Sequence, residues 1–353
     1  MFRHLLLLAL ACVASACFAT GPAQAADPTQ QSAQTEPFPV EITHRYGTTR
    51  IGAPPQRIVS IGFIDHDFLL SLGIRPYALR NWYGGQPFGV WPWAQEALGE
   101  AEPIVMHGEI DIEQIVALQP DLIVGQWSGI TRREYQILSQ IAPTLPPQPG
   151  FGDYGMPWQE MLRTLGRATG TSAKAAGIIA DLDARFAAVR RDHPDWAGQS
   201  AAIVWAGQTG AYTARDIRGR FLENLGFVIP DTINTRGTMD NFYILIPDED
   251  LSPIDVDALL WIDGGGTANS LHAKPLRTTM RAHKEGREVY INPLLSAALS
   301  HSSPLSLSFA LDHIVPLVEL AADGDPATIV PSSADIGITP DLSTVTRAKG
   351  TTP

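Results

Sequence analysis

The chain is almost without cysteine. Both of its cysteines, Cys12 and Cys17, fall in the first 25 residues. If that stretch is removed, disulfides, thiolate metal sites and cysteine catalysis are excluded from what remains. Nine histidines are present, but none stands in an H-x-H or H-E-x-x-H spacing, so a zinc-protease type of site has no basis. Asp65-His66-Asp67 offers ligand types for a metal, yet adjacent residues of one strand or helix rarely converge on one ion. Signatures of catalysis are missing as well. Gly62 stands alone where a dinucleotide loop needs three glycines, and Gly264-Gly-Gly266 lacks the last glycine at the right place. In Gly125-Gln-Trp-Ser128-Gly129 the serine sits one place late for a nucleophile elbow. A secreted enzyme would need a site the sequence does not display. Positive charge is also scarce, with 25 Lys and Arg against 37 Asp and Glu and a formal charge of −12. Loss of Arg3 with a leader takes this to −13, which argues against nucleic acid and anionic membrane surfaces as partners.

The first 25 residues read as a signal peptide. Arg3 and His4 form a short basic start, an apolar run opens at Leu5, and Ala23-Gln24-Ala25 is a small-x-small cleavage site. The run is too short to span a bilayer stably, and no later segment approaches 18 apolar residues. An exported, periplasmic chain is expected. The alternative is a lipoprotein anchored at Cys17 of Ala14-Ser15-Ala16-Cys17, although the usual Leu of that box is missing. Residues 26–39 read as a flexible segment, and residues 18–38 would be the tether in the lipoprotein case. Residues 322–353 lack aromatics and are rich in Pro, Thr, Ser, Asp and Gly, and read as a disordered tail.

Between these ends one motif occurs twice, 136 residues apart. Glu113-Gln-Ile-Val-Ala-Leu-Gln-Pro-Asp121-Leu-Ile and Glu249-Asp-Leu-Ser-Pro-Ile-Asp-Val-Asp257-Ala-Leu share a Glu and an Asp eight residues apart. Each suggests a helical turn leading into an apolar strand, with an exposed carboxylate at the helix start, where the dipole favours it. The spacing is too long for a solenoid unit and suggests two similar lobes gripping one symmetric partner.

Strand and helix patterns alternate on both sides of the middle. Strands are expected at Arg57–Ile61, Pro76–Leu79, Pro120–Val124, Ala201–Trp205, Leu259–Ile262 and Arg287–Ile291. Helices are expected at Asp67–Leu72, Arg132–Ile141, Phe221–Leu225, Leu276–His283 and Ser306–Leu320. Residues 158–168 and 172–191 are rich in helix formers, with Ile178, Leu182, Phe186 and Val189 on one face and Thr171 or Ser172 as cap. The fold class is therefore α/β. It places an N-terminal lobe at 40–156, a single long connecting helix over 157–195, and a C-terminal lobe at 196–321.

Several ordered stretches carry a family likeness: Pro55-Gln-Arg57-Ile-Val-Ser60, Leu72-Gly-Ile-Arg-Pro76, the two Glu motifs, Ile141-Ala-Pro-Thr144, Trp158 with Leu165-Gly166, and Lys284-Glu-Gly-Arg287-Glu-Val-Tyr290. Together they resemble the periplasmic substrate-binding proteins of ABC importers for iron–siderophores, haem and cobalamin, most of all the iron–siderophore branch. The resemblance implies two Rossmann-like lobes with a ligand cleft between them. It also implies a non-enzymatic monomer without cofactor that delivers a ferric siderophore to a dimeric permease. Glu113 and Glu249 would then dock into arginine pockets on that permease. A haem or cobalamin carrier of the same fold is the alternative, and an axial ligand such as His107 or His301 would favour haem.

Ligands of open α/β sheets sit beyond the carboxyl ends of the strands. Phe63, Asp65, Trp82, Tyr83, His107, Trp127, Ser128 and Tyr154 fall there in the first half. Trp205, Tyr212, Arg215, Arg218, Asn241, Tyr243, Trp261 and His301 fall there in the second. Aromatic walls with a few polar groups suit a bulky organic ligand, and an arginine suits an anionic chelate. Trp91 and Trp93, around Pro92, read as a loop staple. The family's hydroxamate binders carry an Arg six residues before the first docking Glu. His107 stands there instead, which puts the hydroxamate class in doubt and would make binding sensitive to pH.

Overall fold

The computed structural model describes residues 37–238, 241–262 and 266–340. The signal peptide, the alternative anchor at Cys17, most of the segment 26–39 and the last part of the tail lie outside the described residues. Phe38, at the end of that segment, packs against the main core.

An antiparallel hairpin opens the chain, β1 (Val40–His44) with β2 (Gly47–Ile51). Alternate residues Val40, Ile42 and His44 turn inward, as a strand with one buried face requires. Four βα units follow: β3 (Ile58–Ser60) with α1 (Asp65–Ser71), β4 (Ala78–Arg80) with α2 (Pro92–Leu98), β5 (Ile104–Met106) with α3 (Ile112–Leu118), and β6 (Leu122–Val124) with α4 (Arg132–Leu138). A short β7 (Thr144–Leu145) completes a sheet in the order β5-β4-β3-β6-β7, parallel throughout. Strands β3, β4 and β6 are buried at every position, as a sheet covered on both faces demands.

The region 157–195 holds two helices where one was expected, α5 (Trp158–Thr169) and α6 (Ser172–Asp192). Gly170 takes a left-handed φ of 74° and ends α5. Thr171 starts α6 without a side-chain cap, because its hydroxyl bonds Thr169 instead. A Cβ at Gly166 would fall 2.7 Å from Ala175, so this glycine lets the two helices pack closely. Helix α6 buries Ile179, Leu182 and Phe186.

A second sheet follows, in the order β10-β9-β8-β11-β12. Its parallel strands are β8 (Ala201–Trp205), β11 (Ala258–Ile262) and β12 (Glu288–Ile291). The edge pair β9 (Gly210–Tyr212) and β10 (Tyr243–Leu245) runs antiparallel. Helices α7 (Ile217–Leu225), α8 (Asp231–Asn234), α9 (Thr267–His272) and α10 (Arg281–Lys284) connect these strands, and α11 (Pro293–His301) follows β12. The helix expected over Leu276–His283 is a 3-10 turn at Pro275–Thr279 followed by α10, since Pro275 starts the turn and Met280 is extended. Helix α12 (Pro304–Ala322) packs on α1 and α2 as well as on α6, β11 and β12, bringing the late part of the chain onto the first βα units. It is apolar and long enough to span a membrane, but half of it is buried in this core.

The tail reading fails between 322 and 340. Helix α13 (Pro331–Asp335) covers the β12 edge. Ser333 Oγ accepts from Tyr290 N at 3.0 Å and donates to Glu288 O at 2.7 Å, and Val330 and Ile338 are buried. Polar composition hid two apolar anchors and one edge-pairing serine.

The internal repeat has a structural core in its aspartates. Asp121 accepts from the amides of Gln56 and Arg57 at 2.6 and 2.8 Å, and its own N–H reaches Arg57 O. Asp257 accepts from Ser200 N at 2.9 Å, and its own N–H reaches Ser200 O. Each therefore fastens the chain just before the first strand of its sheet. The glutamates differ. Glu113 lies in the first turn of α3, capped by Asp111. Glu249 lies in a turn ahead of a single 3-10 turn at Ser252–Ile254, not at a helix start. There Asp250 takes the Ser252 amide at 3.0 Å, a local bond that competes with helix formation.

Candidate ligand-binding site

Two bonds shape the first half of the site. Gly62 follows β3, and a Cβ there would fall 1.6 Å from Asp65 Oδ2. Only glycine lets the Asp65 carboxylate reach across to the loop after β6, where it accepts from Gln126 N at 2.9 Å and Trp127 N at 3.1 Å. Asp65 is thus a buried lock, not a cleft-facing group. Burial pushes its pKa up to about 7, against the pull of those amides. The lock holds the Trp127 ring between Trp82 at 5.2 Å and Tyr154 at 4.6 Å. Phe63 stacks on Trp82 at 5.7 Å, and the guanidinium of Arg80 lies 4.1 Å above Phe63.

Arg80 is the residue that sequence reasoning missed. It ends β4, one place beyond the expected strand, and it is buried. Nε donates to Gly108 O at 2.7 Å, Nη1 reaches Ser128 O, and Nη2 lies 3.6 Å from the exposed Glu109. Burial lowers its pKa, and Glu109 pulls it back. His107, expected to take this role, is exposed on the same loop. Ser128 spends its hydroxyl on a turn, donating to Gly125 O and accepting from Ile130 N.

The second half mirrors this arrangement. Tyr212 and Tyr243 are register partners across β9 and β10, 6.0 Å apart. Phe242 lies 5.6 Å from Tyr243 and 6.3 Å from Tyr154 of the first half. Arg218 lies 4.4 Å over Tyr212, donates from Nη1 to both Asp216 oxygens at 3.0 Å, and donates from Nε to Ser300 Oγ at 3.2 Å. Asp216 also caps α7. Burial raises the Asp216 pKa and Arg218 draws it down. Burial opposes the Arg218 charge, but Asp216 more than compensates and holds it above its ordinary value. The rings thus run in one chain, Phe63–Trp82–Trp127–Tyr154–Phe242–Tyr243–Tyr212, with a paired arginine at each end. Such rings and guanidiniums attract through the ring quadrupole.

A family model described as "Periplasmic binding protein" matches residues 69–293, which takes in the whole second sheet and every strand of the first except β3. The chain belongs to the periplasmic binding protein family. It is 29% identical over 199 residues to the probable siderophore-binding lipoprotein YfiY of Bacillus subtilis, covering 54% of this chain and 57% of that one. It is 27% identical to the ferric enterobactin-binding periplasmic protein FepB of Escherichia coli, covering 74% and 81%. The crystal structure of a periplasmic solute binding protein from Mycobacterium smegmatis superimposes with a TM-score of 0.71 at 32% identity, covering 80% and 98%.

In this periplasmic binding protein the remaining candidates divide. His301 ends α11 and is the hub of a second ring cluster, 5.2 Å from Trp93, 5.6 Å from Trp82, 5.9 Å from Trp91 and 6.3 Å from Tyr83. It is buried, its Nδ1 is spent on Ala297 O, and burial pushes its pKa down to about 4. It supports the Trp82–Tyr83 loop from below and is not presented as an axial ligand. Tyr83 keeps an exposed ring edge while its hydroxyl sits near Ser300 and Arg218, and burial raises its pKa. Trp91 and Trp93 stack at 5.3 Å, and Trp93 Nε1 donates to Asp67 at 2.7 Å.

Trp205 and Trp261 lie on opposite faces of the second sheet. Trp205 pairs with Ile262 and packs toward the main core beside Tyr243. Trp261 is fully buried on the other face and donates to Glu288 at 2.8 Å, within a network of Arg277 and His283. Trp261 is therefore core, a correction to its place among ligand contacts. Arg215 is exposed, with its carbonyl facing Gly155 across the halves, and Asn241 is exposed. Glu113 and Glu249 are both exposed. Among the described residues no cluster of His, Cys, Asp or Glu could hold a metal ion.

Proposed function

We propose that this periplasmic binding protein captures a ferric siderophore and delivers it to an ABC permease. The chain of seven rings closed by Arg80 and Arg218 carries the reading. It offers the flat apolar faces a bulky organic chelate needs, and cationic groups for its oxygens. The relatives named for siderophore and ferric enterobactin binding point the same way. In this reading the two sheets are two Rossmann-like lobes, 40–156 and 196–321. The α5–α6 pair and the returning α12 join them and restrain wide closure, so the site is largely preformed and little binding energy goes into ordering it. The protein works as an exported monomer without catalysis, either freed after Ala25 or anchored at Cys17. Haem is disfavoured because His301 is enclosed by rings and His107 stands outside the ring chain.

Delivery falls to Glu113 and Glu249, exposed on the two copies of the repeat. Asp121 and Asp257 give both copies the same anchorage beside the sheets, so the two carboxylates can meet a symmetric permease together. The test is the double variant Glu113→Ala, Glu249→Ala, assayed for ferric siderophore uptake in cells and for binding in solution. Uptake should be lost while affinity stays unchanged. Normal uptake, or a matching loss of affinity, would remove these residues from docking.

A further inference from the structure

We propose that the cleft selects ferric chelates that carry little or no net charge and present a flat aryl or heteroaryl ring, and that it rejects trianionic chelates. This rests on the siderophore-binding reading and names the class within it. Each buried arginine at the ends of the ring chain already has a carboxylate partner: Glu109 for Arg80 and Asp216 for Arg218. Arg45, in the turn between β1 and β2, is likewise paired with Asp153, the neighbour of Tyr154. Arg215, three residues before Arg218, has no ion pair among the described residues and is exposed; Arg220 has none either, but it lies against Trp158 and Leu307, away from the ring chain. The walls thus offer about one uncompensated positive charge to a bound ligand. A trianion would have to leave water against that single charge, and burial of unpaired charge is strongly unfavourable. Recruiting Arg218 more fully would strip Asp216, itself fully buried, of its counter-ion, which transfers the cost without removing it. The rings supply what the charges do not. Their faces stack on flat groups and do not favour an aliphatic chelate shell.

The experiment is a titration of the intact mature protein with three ferric chelates. These are a trianionic tris-catecholate, a neutral tris-hydroxamate without aryl groups, and a neutral mixed chelate bearing a hydroxyphenyl-heterocycle. The aryl neutral chelate should bind at least about tenfold more tightly than either of the others. Glu109→Gln, a change at an exposed carboxylate, frees Arg80 and should narrow the gap to the trianion. Asp216→Asn, which keeps a capping side chain on α7, should narrow it further. A trianion that binds as tightly as the neutral aryl chelate overturns the charge argument and leaves siderophore binding standing. Equal binding of both neutral chelates overturns the aryl argument. Binding of none of the three overturns the siderophore reading itself.

Discussion

Replacing Asp65 with Ala should loosen both the fold and the ligand wall. The carboxylate is fully buried and accepts two backbone amides, from Gln126 and Trp127. Its loss leaves two buried N–H groups unpaired, at roughly 1–3 kcal/mol each. A chain of this size loses roughly 1.5 °C in Tm per kcal/mol, so a fall of roughly 3–9 °C is expected. Trp127 also loses its anchor between Trp82 and Tyr154, so affinity should fall together with stability. Asp65→Asn adds a signature in pH. The folded carboxyl titrates at about 7, above its ordinary 3.8, so between those pH values the folded protein holds a proton that the unfolded chain has lost. Its contribution is fully present below pH 4 and is lost as pH rises through 7. The advantage of the parent over Asp65→Asn should therefore shrink by roughly 3 kcal/mol between pH 5 and pH 8. Thermal melts at both pH values, followed by circular dichroism, read the stability changes, and a ferric chelate titration reads the affinity. An Asp65→Ala melt within about a degree of the parent, far below the loss expected for two unpaired amides, would refute the lock.

Two further outcomes separate site from scaffold. Trp261→Phe removes the bond to Glu288 and should cost roughly 1–3 kcal/mol of stability in a denaturant melt, with ligand affinity unchanged; a loss of affinity at constant stability would return Trp261 to the site. Arg80→Met should weaken ferric chelate binding roughly tenfold or more, as loss of a charge-assisted contact does, while His107→Ala should leave a titration curve in place. The reverse result would restore the role first read for His107.

Much of the architecture was legible because hydrophobic periodicity is a local property. The buried triplets of β3 and β6 are written in adjacent residues, and Leu182 and Phe186 of the expected α6 stripe are buried, with Ile179 in the place expected for Ile178; the break at Gly170 was not read. The site was less legible because it depends on register and on which face a strand presents. Trp205 and Trp261 look alike in sequence, but the register sets Trp205 beside Ile262 and Trp261 beside Val204, and so turns them to opposite faces. Arg80 escaped notice because a single strand position separates a rim residue from a loop residue. Asp65 stood at the right strand end, yet a missing Cβ at Gly62 draws it inward. The second motif copy lost its helix to the Asp250 turn, whereas the aspartates of both copies kept one role. His301 showed no distinguishing neighbour in sequence; its ring cage is assembled from residues more than 200 positions away.

Capture of a ferric siderophore by the ring-lined cleft is most directly tested by tryptophan fluorescence. Trp82 and Trp127 stand in the ring chain among the eight tryptophans of the sequence, so a chelate seated there must change the emission. Titration of the mature protein with ferric chelates, haem and cobalamin should give saturable quenching by a ferric chelate at submicromolar concentration and none by its iron-free form. An emission unmoved by every ferric chelate, or moved equally by the iron-free form, would contradict the account.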